Sequence, residues 1–552
     1  MRTTSLVLFL FAAAVPASAQ EFEKAKAEFK QAVLAMHETR VATAAAAVAK
    51  SDSREAVDVL LDGYGMTANQ IKQLWGEKIR WIREADANSD IEWDNGPMGS
   101  RPKPSSQNKY GKLLEAQRGG REVEEKIMHV EAVKDKIVEA LATFKSDAAV
   151  KQLAAKMKND SSWDRRAGVA EALGRIDHPD AVPSLTQQLG KDSEAGVKVA
   201  CIDALKAKKA GTPEAVAAIS EALKSEFWQV KYAAAVALRT IGAKDGIEPI
   251  IEALKGAEGR IKHEFNDALV ALTGVDKHGD YATWRAWFDQ NKDAVKGGSY
   301  QPKPEEKPGG REGGTTTFYG IPIKTKNVVF VLDCSGSMAW DSEWKEGPKE
   351  DTPTGGGAAP DDKVGKPEGK RKIDIARWQL RRCLVSLPEG TEFNLIFFST
   401  SFTIMSEKMV KMNSSTRKMA LEFVQKLVPE GGTNIFDPME KAFTFASAGE
   451  MKDKLAKGGI DTVFLLTDGM PNQGQITDAA GILAKLKEMN KVKKLVINTI
   501  GAFSSNPPVM VQANEKEEGE KLLKQMADDH GGVFLNASNG SPSPKGAGSG
   551  KK

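Results

Sequence analysis

Val328-Val329-Phe330-Val331-Leu332-Asp333-Cys334-Ser335-Gly336-Ser337-Met338 decides the fold of this 552-residue chain. Five apolar residues in succession leave no polar face, so the run reads as a strand buried on both sides, as a parallel sheet requires. Comparable runs at 393–398, 462–466 and 495–500 alternate with helical stretches at 373–386, 415–427, 438–446, 478–489 and 519–528. That alternation predicts an α/β doubly wound, Rossmann-like sheet. Ligands of such sheets lie beyond the carboxyl ends of the strands, where strand order reverses. Asp333, Ser335 and Ser337 follow one such end directly, and Asp468 follows another in Leu465-Leu466-Thr467-Asp468-Gly469. A third loop, Gly431-Gly432-Thr433-Asn434-Ile435, offers one more hydroxyl. Hydroxyls and carboxylates without a nearby cysteine or histidine make a hard oxygen environment, which suits Mg²⁺ or Mn²⁺ and not zinc or copper.

Asp-x-Ser-x-Ser after the first strand, Gly-Gly-Thr-Asn before a helix and Thr-Asp-Gly after a later strand together resemble a von Willebrand factor type A (VWA) domain, here spanning residues 317–538. The resemblance implies a complete metal-ion-dependent adhesion site. Ser335, Ser337 and Thr433 would ligate one Mg²⁺ or Mn²⁺ through their hydroxyls, while Asp333 and Asp468 would act through water. It also implies an open coordination position for an Asp or Glu carboxylate of a partner protein. One departure is an insert, 339–370, rich in Gly, Pro, Lys and Asp, between the serine loop and the next helix. Either one of its carboxylates occupies the metal in cis, making it an autoinhibitory lid, or it is a tolerated surface loop.

On the N-terminal side, residues 291–316 form a Gly- and Pro-rich linker that would let the two halves move, and the segment before it, 146–290, repeats itself. Leu173, Leu205, Leu238 and Leu269 recur at spacings of 32, 33 and 31 residues, and Arg165-Arg166, Val197-Lys198, Val230-Lys231 and Ile261-Lys262 stand eight positions before them. First helices carry Val182, Leu185 and Leu189, then Val216, Ile219 and Leu223, then Ile247, Ile250 and Leu254. Each unit is a two-helix hairpin whose apolar face must be covered by its neighbours. These units resemble HEAT-type repeats, and the resemblance implies a helical solenoid offering a surface to a second protein. Their aligned bases are either a stripe for an acidic partner or solvated first-turn residues. Tyr281, Trp284, Trp287 and Phe288 predict an aromatic capping helix.

Residues 20–145 read as all-α: an amphipathic helix over 21–50, a second over 69–85 capped by Thr67, and a third over 113–144, the last two forming a hairpin with Trp75 and Trp81 in its core. Residues 1–19 read as an export leader, with Arg2, an apolar run from Leu6 to Val15 and Ala17-Ser18-Ala19 before Gln20. No later stretch is long and apolar enough to span a bilayer. A soluble, periplasmic or secreted product is therefore expected, with a disordered tail at 539–552. Lys plus Arg total 78 against 75 acidic residues, which removes the electrostatic case for a nucleic-acid partner. Cys201, Cys334 and Cys383 are too few for a disulfide framework and read as buried thiols, Cys334 as a small filler between two site residues.

The functional expectation is an exported, non-catalytic binding protein, with the metal site gripping one partner and the solenoid a second. A metal-free adaptor built on the repeats is the alternative. A Mg²⁺-dependent phosphohydrolase with Asp333 as nucleophile is a weaker fit, because Ser335 replaces the second aspartate and no lysine stands at the proper strand end.

Overall fold

A computed structural model describes residues 17–96, 99–301, 316–342, 364–446, 459–503 and 513–539. Most of the leader, 302–315 of the linker, 343–363 of the insert and the tail from 540 lie outside the described residues.

The N-terminal part is helical: α1 Ala17–Leu34, α2 Glu38–Ala49, α3 Arg54–Ala87 and α4 Gln107–Leu141. A two-stranded ribbon, β1 Trp93–Gly96 and β2 Gly99–Pro102, joins α3 to α4. The single helix expected over 21–50 is broken, because Met36 turns left-handed at φ 50° and His37 caps α2. Alanine and lysine favour helix on both sides of the break, so periodicity alone did not mark it. The helix expected at 69–85 starts at Arg54 instead, where the Ser53 hydroxyl accepts from Ala56 N–H. Thr67 is buried in mid-helix and its hydroxyl donates to Tyr64 O at 2.8 Å. Gly63 is a packing residue: a Cβ there would come within 2.4 Å of the Phe29 ring. Helices α3 and α4 run antiparallel, with the Trp81 ring against Gly119 and Leu74 clustered with Val123, Ile127 and Val130.

The repeats pair α5 Asp147–Asn159 with α6 Trp163–Arg175, α7 Ala181–Lys191 with α8 Ala195–Ala207, α9 Pro213–Ala222 with α10 Trp228–Ile241, and α11 Ile247–Leu254 with α12 Gly259–Thr273. Ser146, Ser162 and Thr212 hydroxyls cap α5, α6 and α9. The register leucines Leu173, Leu205, Leu238 and Leu269 are all fully buried. One apolar core runs from Ala25 of α1 to Val295 of the closing helix α13, Tyr281–Lys296, so α1 to α4 extend the repeat array. Helix α13 continues six residues past the expected end of the cap at 290. Trp284 and Phe288 are fully buried, and Trp284 Nε1 donates to Asn266 Oδ1 at 2.9 Å.

Past the linker, a short hairpin of β3 Thr317–Phe318 and β4 Ile321–Pro322 leads into β5 Asn327–Asp333. There follow α14 Lys372–Ser386, β6 Glu392–Phe398, β7 Phe402–Ile404, β8 Val410–Lys411, α15 Ser414–Gln425, α16 Phe436–Thr444, β9 Thr462–Thr467, α17 Ala479–Lys493, β10 Val496–Gly501, α18 Ala513–Asp529 and β11 Phe534–Asn536. Strand order is β11-β10-β9-β5-β6-β7, parallel except for β7 and β8, which pair antiparallel with β6. Alternate residues of β5 face opposite sides. Val328, Phe330 and Leu332 meet the layer of α14 and α15, and Val329 and Val331 meet α16, α17 and α18. The edge strands β7, β8 and β11 are too short and mixed in burial to stand out as apolar runs.

The two halves are not free of each other. Lys78 of α3 is fully buried, paired with Glu124 of α4 and, at 2.8 Å, with Glu440 of α16. Lys485 of α17 pairs with Glu124 at 3.0 Å and Glu131 at 2.8 Å. Every second helix of the array also meets the sheet domain. Glu171 pairs with Lys491, Asp203 with Lys494, Trp228 packs on the sheet's apolar layer, and Arg260 donates to Asp461 O and Lys494 O. These contacts join the two halves on either side of the linker.

Lys78→Met would remove the buried cation that Glu124 and Glu440 share, a loss of about 3–5 kcal/mol. Chemical denaturation should show that drop, whereas Lys224→Ala, whose pair with Glu221 is exposed, should leave the midpoint in place.

Candidate functional site

Strand β5 delivers Asp333 as its last residue, and β9 delivers Thr467 with Asp468 next to it. These neighbouring strands lead to α14 on one sheet face and α17 on the other, so the crevice of a strand-order reversal opens between them. Asp333 is fully buried. Its Oδ1 accepts the Ser335 N–H at 2.7 Å, and its Oδ2 accepts the Thr467 hydroxyl at 2.5 Å. Ser335 Oγ lies 3.1 Å from Ser337 Oγ, and the Ser337 hydroxyl donates to Asp468 Oδ1 at 2.8 Å.

Four of the five residues named from sequence, Asp333, Ser335, Ser337 and Asp468, thus gather in one chain of contacts. Thr433 joins through backbone. Gly336 N–H donates to Gly431 O at 3.1 Å, Thr433 N–H donates to Asn472 Oδ1 at 2.8 Å, and Asn472 N–H donates back to Thr433 O at 2.9 Å. Thr433 is buried at the head of the turn into α16.

Lys372, the first residue of α14, was missed. Its ammonium lies 2.6 Å from Asp468 Oδ2, so a lysine does reach the site, from a helix rather than from a strand end. It is one of three consecutive bases, Lys370-Arg371-Lys372, and only the fold distinguishes them: Arg371 turns back to Asp374 while Lys372 is buried. Thr467 and Asn472 were missed too, although Thr467 lay inside the quoted Thr-Asp-Gly motif.

Burial, followed by the nearby Asp468 charge, pushes the Asp333 carboxyl up to about 7. Two carboxylates in one buried pocket call for a cation, and the ammonium on Asp468 is a stand-in for one. The surrounding donors are all oxygens, the set a hard divalent ion takes. The residues present therefore fit Mg²⁺ or Mn²⁺. Carboxylates alone would not suffice, since no group of three or more His, Cys, Asp or Glu forms a metal cluster among the described residues. Cys334 turns away from this set. Its thiol donates to Phe398 O at 3.1 Å and packs on the α14 side of the sheet.

Residues 328–470 match the von Willebrand factor type A domain model, and 130–206 and 183–270 match that of HEAT repeats. The chain carries HEAT repeats followed by a VWA domain. It is 30% identical over 156 residues to inter-alpha-trypsin inhibitor heavy chain H4 of Homo sapiens, a match spanning 28% of this chain and 14% of that protein. A von Willebrand factor A domain-containing protein of Dictyostelium discoideum is 28% identical over 210 residues, 36% of this chain and 18% of its own. Among solved structures, a von Willebrand factor type A protein from Catenulispora acidiphila is 18% identical over 39% of each chain with a TM-score of 0.25. The PilB minor pilin from Streptococcus sanguinis is 17% identical over 43% of this chain and 60% of its own, also at 0.25.

Burial raises the Cys201 and Cys383 thiols far above their ordinary range, and burial with Asp333 and Glu430 does the same for Cys334. Ellman's reagent at pH 8 should therefore modify at most one thiol of the native protein, the part-exposed Cys334, and all three in guanidinium.

Proposed function

We propose that this chain of HEAT repeats and a VWA domain is an exported, non-catalytic protein-binding adaptor. Its VWA site holds one Mg²⁺ or Mn²⁺ and offers it to an Asp or Glu carboxylate of a partner protein. The observation that carries this reading is the joining of Asp333, Ser335, Ser337 and Asp468, whose side-chain polar atoms are all oxygens, into one largely buried cluster at the strand ends. In this reading Ser335, Ser337 and Thr433 hold the ion by their hydroxyls and the two aspartates hold its waters. The ion supplies a Lewis-acidic position for the partner's carboxylate. Ser335 stands where a phosphohydrolase would place its second aspartate, which supports binding and not catalysis. Export rests on the leader over 1–19. Among the described residues no helix is long and apolar enough to cross a membrane.

The array's share in this function changes with the fold. Its second-helix face meets the VWA domain in cis, so a second protein on the array would use the first helices α5, α7, α9 and α11. Arg166, one of the four aligned bases, is already paired with Asp192, which supports the structural reading of that stripe. One observation favours the metal-free adaptor as a second reading: the Lys372 ammonium already counters the Asp468 charge without an ion.

Thermal unfolding of the full chain in EDTA, Mg²⁺ or Mn²⁺, with Ser335→Ala in parallel, separates the two readings. The full chain is needed because the array covers one side of the VWA domain. A ligand at a hundredfold excess over its dissociation constant stabilises the folded state by about 2.7 kcal/mol. The metal-site reading expects a metal-dependent rise in Tm that Ser335→Ala abolishes. Identical curves with and without metal would leave the metal-free adaptor.

A further inference from the structure

Lys372 is the one charged group of the site for which the metal-site reading has no use. The fold places it with care. Its N–H donates to Trp340 O at 2.9 Å, Trp340 N–H donates to Ser337 O at 3.1 Å, and the Asp341 and Arg371 backbones pair as an antiparallel bridge. These bonds pin both feet of the insert beside the serine loop. The Lys372 side chain is 2% exposed, with its ammonium on Asp468 and 5.0 Å from the centre of the Trp340 ring. An ammonium held between a carboxylate and an aromatic face is a designed position and not a surface rotamer.

Counting charges gives it a role. With both carboxyls ionised, Asp333 and Asp468 bring two negative charges and Lys372 one positive, a net of one negative charge before an ion is added. A divalent ion turns that into one net positive charge, and a partner carboxylate returns it to zero. Without the lysine the neutral state would be the one with the metal alone. A buried site disfavours net charge, so Lys372 moves the favoured state from metal alone to metal plus carboxylate.

We propose that Lys372 is a built-in counter-ion that lowers the affinity of the site for the bare metal ion and makes binding of metal and of an anionic partner group mutually dependent. The inference rests on the metal-site reading above and names what selects the partner's charge. By linkage, the factor by which the carboxylate tightens the metal equals the factor by which the metal tightens the carboxylate. The affinity of the metal alone is then kept low, so the site fills when both are present.

Calorimetric titration of Mn²⁺ into the full chain, in chloride or in acetate at matched ionic strength, tests this with four proteins: the parent, Lys372→Met, Lys372→Arg and Ser335→Ala. Lys372→Met should bind Mn²⁺ at least tenfold more tightly than the parent in chloride, and Lys372→Arg should keep the parent's weak binding. Acetate should tighten Mn²⁺ binding to the parent and leave Lys372→Met unmoved. Equal or weaker Mn²⁺ binding by a cooperatively melting Lys372→Met would overturn the proposal, since it would make the lysine an orienting partner of Asp468. So would a parent indifferent to acetate, a result that needs no variant to fold. Parent binding that Ser335→Ala loses, without tightening in Lys372→Met, refutes this inference and leaves the metal site standing. Absence of binding in both the parent and Lys372→Met refutes the two together.

Discussion

Lys78 is an ammonium with no exposed surface, flanked by Glu124 and Glu440, and the relation between the two halves of the protein depends on it. Burial alone would lower its pKa, but the two glutamates outweigh that and raise it, so it stays charged. Glu124 in turn meets Lys485, which meets Glu131, so positive and negative groups alternate from the α3–α4 hairpin into α16 and α17. Each ion here costs several kcal/mol to remove from water, and only the intact alternation offsets that. Such a network forms in one arrangement of the helices and is lost in others. It fixes where the hairpin lies on the sheet domain.

That placement reaches the site. Helix α16 begins immediately after the Thr433 loop, and Lys78 holds it by Glu440. Gln117 of α4 donates to Thr400 O at 2.7 Å, Thr400 Oγ1 accepts from Gly432 N–H at 2.9 Å, and Arg121 of α4 donates to Gly474 O at 3.1 Å. Two neighbours of Thr433, the turn at Gly432 and the loop at Gly474, thus lean on a helix some three hundred residues earlier in the chain. Gly120 has no side chain where Gln475 packs, since a Cβ would lie 3.1 Å from it. The hairpin positions the loop that carries one of the proposed ligands.

The parts of this design legible in sequence are those with a local signal. A short apolar run of β-branched and aromatic residues alternating with helical stretches reads as a strand covered on both faces, and polar residues just past it lie at the sheet's carboxyl edge. Asp333, Ser335, Ser337 and Asp468 were readable for that reason, and the register leucines were readable because a repeat shows its own period. What escaped has no local mark. Lys78 and Glu124 look like any exposed charges on a lysine- and glutamate-rich helix, and their burial arises from partners in a distant segment. Lys372 stands in a basic triplet whose members differ only in where the fold sends them. The break at Met36 sits in alanine-rich sequence that favours helix throughout, so only the cap at His37 marks it.

These buried lysines follow one principle at two scales. At the interface each of three glutamates, Glu124, Glu131 and Glu440, touches at least one of two lysines, Lys78 and Lys485. At the strand ends Lys372 touches only Asp468, and burial, followed by the Asp468 charge, pushes the Asp333 carboxyl up. A buried carboxylate that touches no cation differs physically from one in an ion-pair ladder, because a bound ion can relieve it. The protein has further bases beside the site, with Lys370 and Arg371 adjacent in sequence, yet Arg371 is turned to Asp374 by a bidentate contact. Leaving Asp333 with only N–H and O–H partners, while every interface glutamate touches a lysine, separates a place built to stay shut from a place built to accept something.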